Sequence, residues 1–159
     1  MPFRVGLGLD AHSFQAGRRL VVGGVEIPYE LGLAGHSDAD VLTHALMDAL
    51  LGAAGERDIG VQFPDSDPAY RDISSLVLLD KVMTLVKKKG FKVVNVDCVI
   101  IAQEPRLSPY LDEMRGRLAP LLGLEESRVG VKATTTEGMG FTGRGEGIAA
   151  MANALLQLW

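Results

Sequence analysis

The chain has one cysteine, Cys98, in 159 residues. A lone thiol excludes an internal disulfide and any zinc site built from several thiolates. A chain that makes no use of cystine fits a reducing compartment, so a cytoplasmic location is expected. No apolar run approaches the ~20 residues a helix needs to cross a bilayer, which argues against a membrane span. Positive charge is in deficit: 16 Lys and Arg against 20 Asp and Glu leave a net charge of −4. That is the wrong sign for a nucleic-acid partner held by phosphate neutralisation. Met1 to Phe14 carries one basic residue in a strand-like alternation, so neither a secretory nor a transit leader is expected. Repeats, linkers and low-complexity stretches are also missing. A chain of this length fits a single domain over residues 1–159 with a substantial core. Glycine, by contrast, is plentiful. Nineteen are present, well above the ~7% average, and they gather in loops where backbone turns with φ > 0 or approaches a ligand closely.

The most informative stretch is Gly35 to Gly55, GHSDADVLTHALMDALLGAAG. Val41, Leu42, Ala45, Leu46, Ala49, Leu50 and Ala53 recur at helical spacing, and the residues are strong helix formers. Ser37, Asp38 and Asp40 offer caps and favourable negative charge at its start, and Gly55 offers an end. Asp40, His44 and Asp48 lie four residues apart and so form one polar stripe. Carboxylate, imidazole and carboxylate in line suit a metal ligand with supporting partners; a solvated helix face has the same pattern. His36 and Ser37 precede this helix, where amides, dipole and hydroxyl can hold a phosphate; Ser37 as a plain N-cap is the alternative.

Phe3 to Asp10 alternates as a first strand, with Asp10-Ala11-His12 at its end. Residues i and i+2 of an extended chain point the same way, so Asp10 and His12 can converge. With His44 they would make a His/His/Asp set of the kind that holds catalytic zinc, leaving a fourth position for water or a substrate oxygen. An Asp-x-His pair that only caps a turn is the competing reading. Arg19 to Ile27 reads as a second strand broken by glycine. Arg57 to Tyr70 is turn-rich, with Asp58, Asp65 and Asp67 suited to Asx-turns or to a hydroxyl-rich ligand. Ile73 to Lys89 is helical and ends in a basic run stopped by Gly90. Phe91 to Ala102 is a strand. Ser108 starts a helix reaching Leu122, and Val129 to Thr134 is another strand. The run from Thr134 to Gly147 then packs hydroxyls, glycines, Glu137 and Arg144 together. Such a run can present donors to phosphate oxygens and a carboxylate to a hard cation, or can be merely a connection. Ile148 to Leu158 is ambiguous between helix and strand.

GLGLDAHSF, GHSDADVLTHALMDALLGA, DIGVQFPDSDP, VDCVIIAQEPRLSPY and VKATTTEGMGFTGRGEGIA, in this order along nearly the whole chain, resemble the family of 2-C-methyl-D-erythritol 2,4-cyclodiphosphate synthases. The resemblance implies an α/β subunit with a small mixed sheet and helices on one face, assembled as a homotrimer with active sites at subunit interfaces. It also resolves Ile148 to Leu158 as a closing strand. It implies a cyclase of non-mevalonate isoprenoid biosynthesis, converting 4-diphosphocytidyl-2-C-methyl-D-erythritol 2-phosphate to the cyclic diphosphate and CMP. Carried onto this chain, Asp10, His12 and His44 would hold one zinc ion per subunit. His36, Ser37, Asp58, Ile59, Gly60, Phe63, Pro64, Asp65, Ser66 and Asp67 would line the erythritol-phosphate side. Ala102, Gln103, Glu104, Pro105, Arg106, Leu107, Ser108, Thr134, Thr135, Thr136 and Glu137 would form the cytidine and diphosphate pocket, partly from a neighbouring subunit. Glu137 would help hold a second divalent cation, Mg²⁺ or Mn²⁺, and His36 and Thr135 would stabilise the transition state. Phe141 and Arg144 match further ligand positions, which in some members face a central cavity that accepts isoprenoid diphosphates. The chain departs from the family pattern at Ala39, where glycine is usual, and at Glu104. Two rival readings use the same residues: a zinc hydrolase acting on a phosphate ester, and a non-enzymatic trimer that binds isoprenoid diphosphates around a structural zinc. The second lacks the fourth protein ligand that structural zinc sites normally have.

Overall fold

The computed structural model describes residues 2–159. In chain order the strands are β1 (Phe3–Ala16), β2 (Leu20–Val22), β3 (Val25–Ile27), β4 (Leu31–Leu33), β5 (Phe91–Ile101), β6 (Val129–Thr134) and β7 (Gly147–Leu158). The helices are α1 (Val41–Ala53), α2 (Ile59–Gln62), α3 (Ser75–Lys88), α4 (Leu111–Leu122) and α5 (Gly140–Gly143). Five strands form one mixed sheet in the order β4-β1-β7-β5-β6, with only β5 and β6 parallel. β2 and β3 form a separate hairpin. No described helix is long and apolar enough to cross a membrane.

One contact organises the helical layer. A Cβ on Gly6 would sit 1.8 Å from the Ala49 carbonyl oxygen, and one on Gly8 1.8 Å from that of Ala45. Helix α1 therefore lies directly on the β1 backbone, which only glycine permits. Across the ladder Gly6, Gly8 and Asp10 pair with Ala154, Ala152 and Ala150. These small buried residues extend the trough under the helix. Helix α3 packs against α1 from the other side, so α1 is enclosed and only Asp48 and Gly52 escape burial along it. Helix α1 runs antiparallel to β1, which carries its first turn to Asp10 and His12.

Three expectations change. β1 continues past Asp10 to Ala16, because Ala11 to Ser13 pair with β7 and Phe14 to Ala16 pair with β4. Asp10 and His12 thus sit within a strand, paired to β7 along its length, rather than at a fraying end. The glycine-broken strand of residues 19–27 is instead the β2–β3 hairpin, since Gly23 and Gly24 at φ 59° and 75° close a two-residue turn. Ser108 does not cap α4: a 3₁₀ turn over Ser108–Tyr110 precedes that helix, and the Ser108 hydroxyl accepts from Arg106 Nε. The strand assignment of the last segment holds.

On the sheet face away from α1, β1 leaves an apolar stripe bare: Val5, Leu7 and Leu9 are 73%, 61% and 63% exposed, with Met151 beside them on β7. Cys98 is buried in β5, and burial together with Asp97 pushes its thiol up to about 12, so it is chemically inert in the folded chain.

Gly8→Ala tests the seating of α1. Overpacking of this kind costs about 1–3 kcal/mol or more. Urea unfolding is expected to report at least that loss, with reduced metal content because His44 is carried on the displaced helix.

Candidate functional site

β1 delivers Asp10 and His12 to the face under α1, and the first turn of α1 delivers His44. Asp10 Oδ2 lies 2.8 Å from His12 Nε2 and 3.2 Å from His44 Nδ1, and the two imidazole nitrogens are 3.2 Å apart. Among the described residues these three form the group able to share a metal ion. Tetrahedral zinc with bonds of about 2.0–2.1 Å separates its ligand atoms by roughly 3.3 Å, close to this spacing.

The remaining ring nitrogens fix the tautomers. His12 Nδ1–H donates to the Ala34 carbonyl at 2.8 Å, so Nε2 presents its lone pair. His44 Nε2 lies 2.9 Å from Ser75 Oγ and 3.1 Å from Ser37 Oγ. The Ser75 hydroxyl spends its proton on Asp38 Oδ1, so it accepts from His44 Nε2–H and leaves Nδ1 bare. Ligand imidazoles oriented by backbone carbonyl or by a carboxylate-backed hydroxyl are characteristic of metal centres. Burial alone would raise the Asp10 carboxyl, but when the two imidazoles are protonated their hydrogen bonds and charge outweigh it and hold the pKa at about 2. Burial opposes charging of His44, yet Asp10 raises its pKa above the usual value. The donor set and its orientation suit a divalent cation.

The Asp40–His44–Asp48 stripe divides into three tasks. Asp40, wholly buried, is the N-cap of α1: it accepts from Thr43 N and Thr43 Oγ1, and from Gly23 N and Gly24 N at 2.8 and 2.7 Å. It ties the hairpin turn to the helix and does not support the metal ligands, which corrects that reading. Its burial pushes the carboxyl pKa up, with the donors working against the shift. Asp40, and not Ser37, is therefore the cap of this helix. Asp48 accepts from Ile59 N at 2.8 Å and so anchors α2 beside the site.

A cleft of about 300 Å³ opens over the three ligands. Its lining includes His36, Ser37, Asp58, Ile59, Gly60, Phe63 and Asp65, all expected, and also Gly35, Asp48, Tyr70 and Leu78. His36 Nε2–H donates to the Asp67 carbonyl at 3.0 Å, so the ring braces the loop after α2. The Asp58 and Asp67 carboxylates accept from Gly60 N and Ala69 N, as Asx-turns do. Pro64 and Ser66 are exposed on that loop and do not line the cleft.

A second cleft, about 230 Å³, is lined by Ala102, Gln103, Glu104, Pro105, Arg106, Leu107 and Ser108 with Ala133, Thr134 and Thr135. The two clefts share no residue. They lie at the same end of the sheet, since Ile101 pairs with Ala149, which pairs with Ala11. Thr136 does not line the second cleft; its hydroxyl is bound to the Met139 carbonyl and to Thr142. Glu137, at φ 55°, stands exposed beyond β6 and outside the three-ligand group. Phe141 and Arg144 lie on and just after α5, away from both clefts, with Arg144 Nε on Glu146 at 2.7 Å.

Sequence reasoning missed Arg18, whose Nη1 and Nη2 donate to the Gly35 and Ser37 carbonyls at 2.9 and 2.6 Å and so clamp the loop that carries His36. It also missed Ser75 and Asp38 behind His44. None has a spacing signal, because each is recruited across 17 or more residues. Within the clamped loop Ala39 is fully buried at φ 56°, a conformation that suits glycine better.

These features define an α/β protein with a candidate metal site of three side chains and an open cleft above them. The YgbB family description matches residues 3–157, and the chain belongs to the YgbB family. The 2-C-methyl-D-erythritol 2,4-cyclodiphosphate synthase of Halalkalibacterium halodurans is 61% identical over 153 residues, covering 96% of this chain and 98% of that protein. Among solved structures, the bifunctional IspDF of Campylobacter jejuni matches with a TM-score of 0.95 and 42% identity over 99% of this chain and 42% of its own. IspF of Plasmodium falciparum, in a CDP complex, matches with a TM-score of 0.86 and 33% identity over 98% of this chain and 96% of its own.

Two variants separate ligand from support. His44→Ala is expected to abolish stoichiometric metal by elemental analysis. Ser75→Ala, which unlocks the His44 tautomer, is expected to lower metal affinity about 10- to 100-fold while leaving the fold intact by circular dichroism.

Proposed function

We propose that this chain catalyses the reaction its relatives are named for, closing 4-diphosphocytidyl-2-C-methyl-D-erythritol 2-phosphate to 2-C-methyl-D-erythritol 2,4-cyclodiphosphate with release of CMP. The observation that carries the reading is the convergence of Asp10, His12 and His44 at the floor of a cleft, within 3.2 Å of one another. In the reaction the 2-phosphate oxygen attacks the β-phosphorus, and the bond from that phosphorus to the CMP oxygen breaks. The nucleophile is already an anion, so the site needs no strong base. It needs charge neutralisation and alignment of mutually repelling phosphates. Asp10, His12 and His44 would hold a zinc ion and Glu137 would help hold Mg²⁺ or Mn²⁺, and these ions would supply Lewis-acid neutralisation of phosphate charge.

The chain's own groups orient the substrate. His36 is braced through Nε2 on the Asp67 carbonyl and lines the cleft, where its ring meets the substrate's phosphate side. Thr135 Oγ1 accepts from Glu137 N, which leaves its hydroxyl proton available to a phosphate oxygen. The Ala102 to Ser108 loop receives the cytidine, and Gln103 steadies the phosphate loop by accepting from Gly138 N at 3.1 Å.

A homotrimer completes the site. One subunit carries the metal cleft and the nucleotide cleft apart from each other, and its bare Val5, Leu7 and Leu9 face suits burial against copies of itself. In that assembly Phe141 and Arg144 face a central cavity suited to an isoprenoid diphosphate. The protein acts in the cytoplasm.

Incubation of the metal-loaded protein with the diphosphocytidyl substrate tests the reading: cyclic diphosphate and CMP are expected in equal amounts. Linear hydrolysis products would identify a phosphoester hydrolase instead. Binding of lipid diphosphates without turnover would identify a binding module. Thr135→Ala is expected to lower kcat by about 10²–10³ with metal content unchanged. The double variant Leu7→Glu, Leu9→Glu is expected to sediment as a monomer that retains its metal and loses turnover.

A further inference from the structure

Opposite the metal cleft, where β5 begins and β7 ends, a cavity of about 480 Å³ opens that is larger than either cleft of the metal end. The strand rise separates it from Asp10 by roughly 20–25 Å. Its volume falls within the range of about 300–1,000 Å³ typical of small-molecule sites. Met83, Val93 and Leu122 supply buried apolar lining, and the Trp159 indole adds an exposed aromatic wall. Lys87, Lys92 and Arg128 also line it, and no acidic side chain does.

In a chain of net charge −4 this concentration of positive charge is against the average. Elsewhere among the described residues Arg19, Arg71, Lys89, Arg115, Arg117, Lys132 and Arg144 are paired with carboxylates, while Arg4, Arg18, Arg57, Lys81, Lys88 and Arg106 stand apart on the surface without gathering at a cavity of this size. Lys87, Lys92 and Arg128 enter no such pair. The dipole of α3 accounts for Lys87 in its last turn. It does not account for Lys92 on β5 or Arg128 in the turn before β6. Lys92 Nζ stands 5.0 Å from the Trp159 ring centroid, which holds one cation at the cavity wall.

We propose that this cavity binds a small amphiphilic anion, its apolar body seated on Met83, Val93 and Leu122 and its phosphate or carboxylate head held among Lys87, Lys92 and Arg128. Apolar lining alone would accept a neutral hydrocarbon, and cations alone would accept inorganic phosphate. Together they select a molecule that carries both. The proposal is independent of the chemistry at the metal end.

Trp159 is the single tryptophan of the chain, so its fluorescence reports this cavity. The full-length protein is titrated with octyl phosphate below its micelle concentration, by fluorescence and by calorimetry. A saturable fluorescence change with one ligand per chain is expected. Lys92→Gln and Arg128→Gln, followed by calorimetry, are each expected to weaken binding about ten-fold, the scale of one charge-assisted contact. Inorganic phosphate and octan-1-ol are each expected to bind at least about ten-fold more weakly. His44→Ala is expected to bind octyl phosphate as the parent does. The proposal is overturned by absence of saturable binding or by binding unchanged in both cation variants. Inorganic phosphate binding as tightly as octyl phosphate would overturn it in favour of a bare anion site. Tighter association with anionic phospholipid vesicles than with monomeric octyl phosphate would overturn it in favour of a membrane-facing surface.

Discussion

The direct seating of α1 on β1 is the constraint from which the site follows. Two glycines remove the side chains that would hold a helix at ordinary distance from a sheet, and alanines on β7 continue the gap sideways. The helix then lies so low that a histidine in its first turn reaches an aspartate and a histidine projecting from the strand below. A larger residue at Gly6 or Gly8 would lift the ligand away along with the helix. Catalytic geometry here rests on an absence of side-chain volume several residues from the ligands themselves.

The support of the ligands comes from three separate parts of the chain. The Ala34 carbonyl orients His12, the Ser75 hydroxyl backed by Asp38 orients His44, and Arg18 holds the loop that carries His36. Asp40 closes the arrangement from beneath by joining the start of α1 to the β2–β3 turn. Apart from the local cap on Thr43, each of these bonds spans a join between elements, so packing of the elements and support of the site go together. Strain is tolerated in the same loop, where Ala39 takes a left-handed conformation while buried.

The exposed apolar face and the division of the clefts are two aspects of one design. A sheet with helices on one side only must cover the other with something, and here that side offers Val5, Leu7 and Leu9. Under the proposed function, burial of this face between copies is what joins the two clefts, which a single subunit keeps apart. The opposite end of the sheet has its own cavity, with cations around an apolar lining, and takes no part in that arrangement.

The ligand triad was legible in the amino-acid order because it obeys local rules: two residues apart on a strand point one way, and the helix bearing His44 announces itself by its apolar period. The Asx-turns at Asp58 and Asp67 and the strands at 91–102 and 129–134 were legible for the same reason. The identity of the last strand and the grouping of most lining residues into two clefts were read from whole motifs, since alanine-rich Ile148 to Leu158 has no decisive period of its own. Only the tertiary structure could assign Asp40 to the hairpin, Ser75 and Asp38 to His44, and Arg18 to the His36 loop. Each of those bonds joins residues far apart in the chain, and no local periodicity encodes which donor will meet which acceptor once helix and sheet have packed.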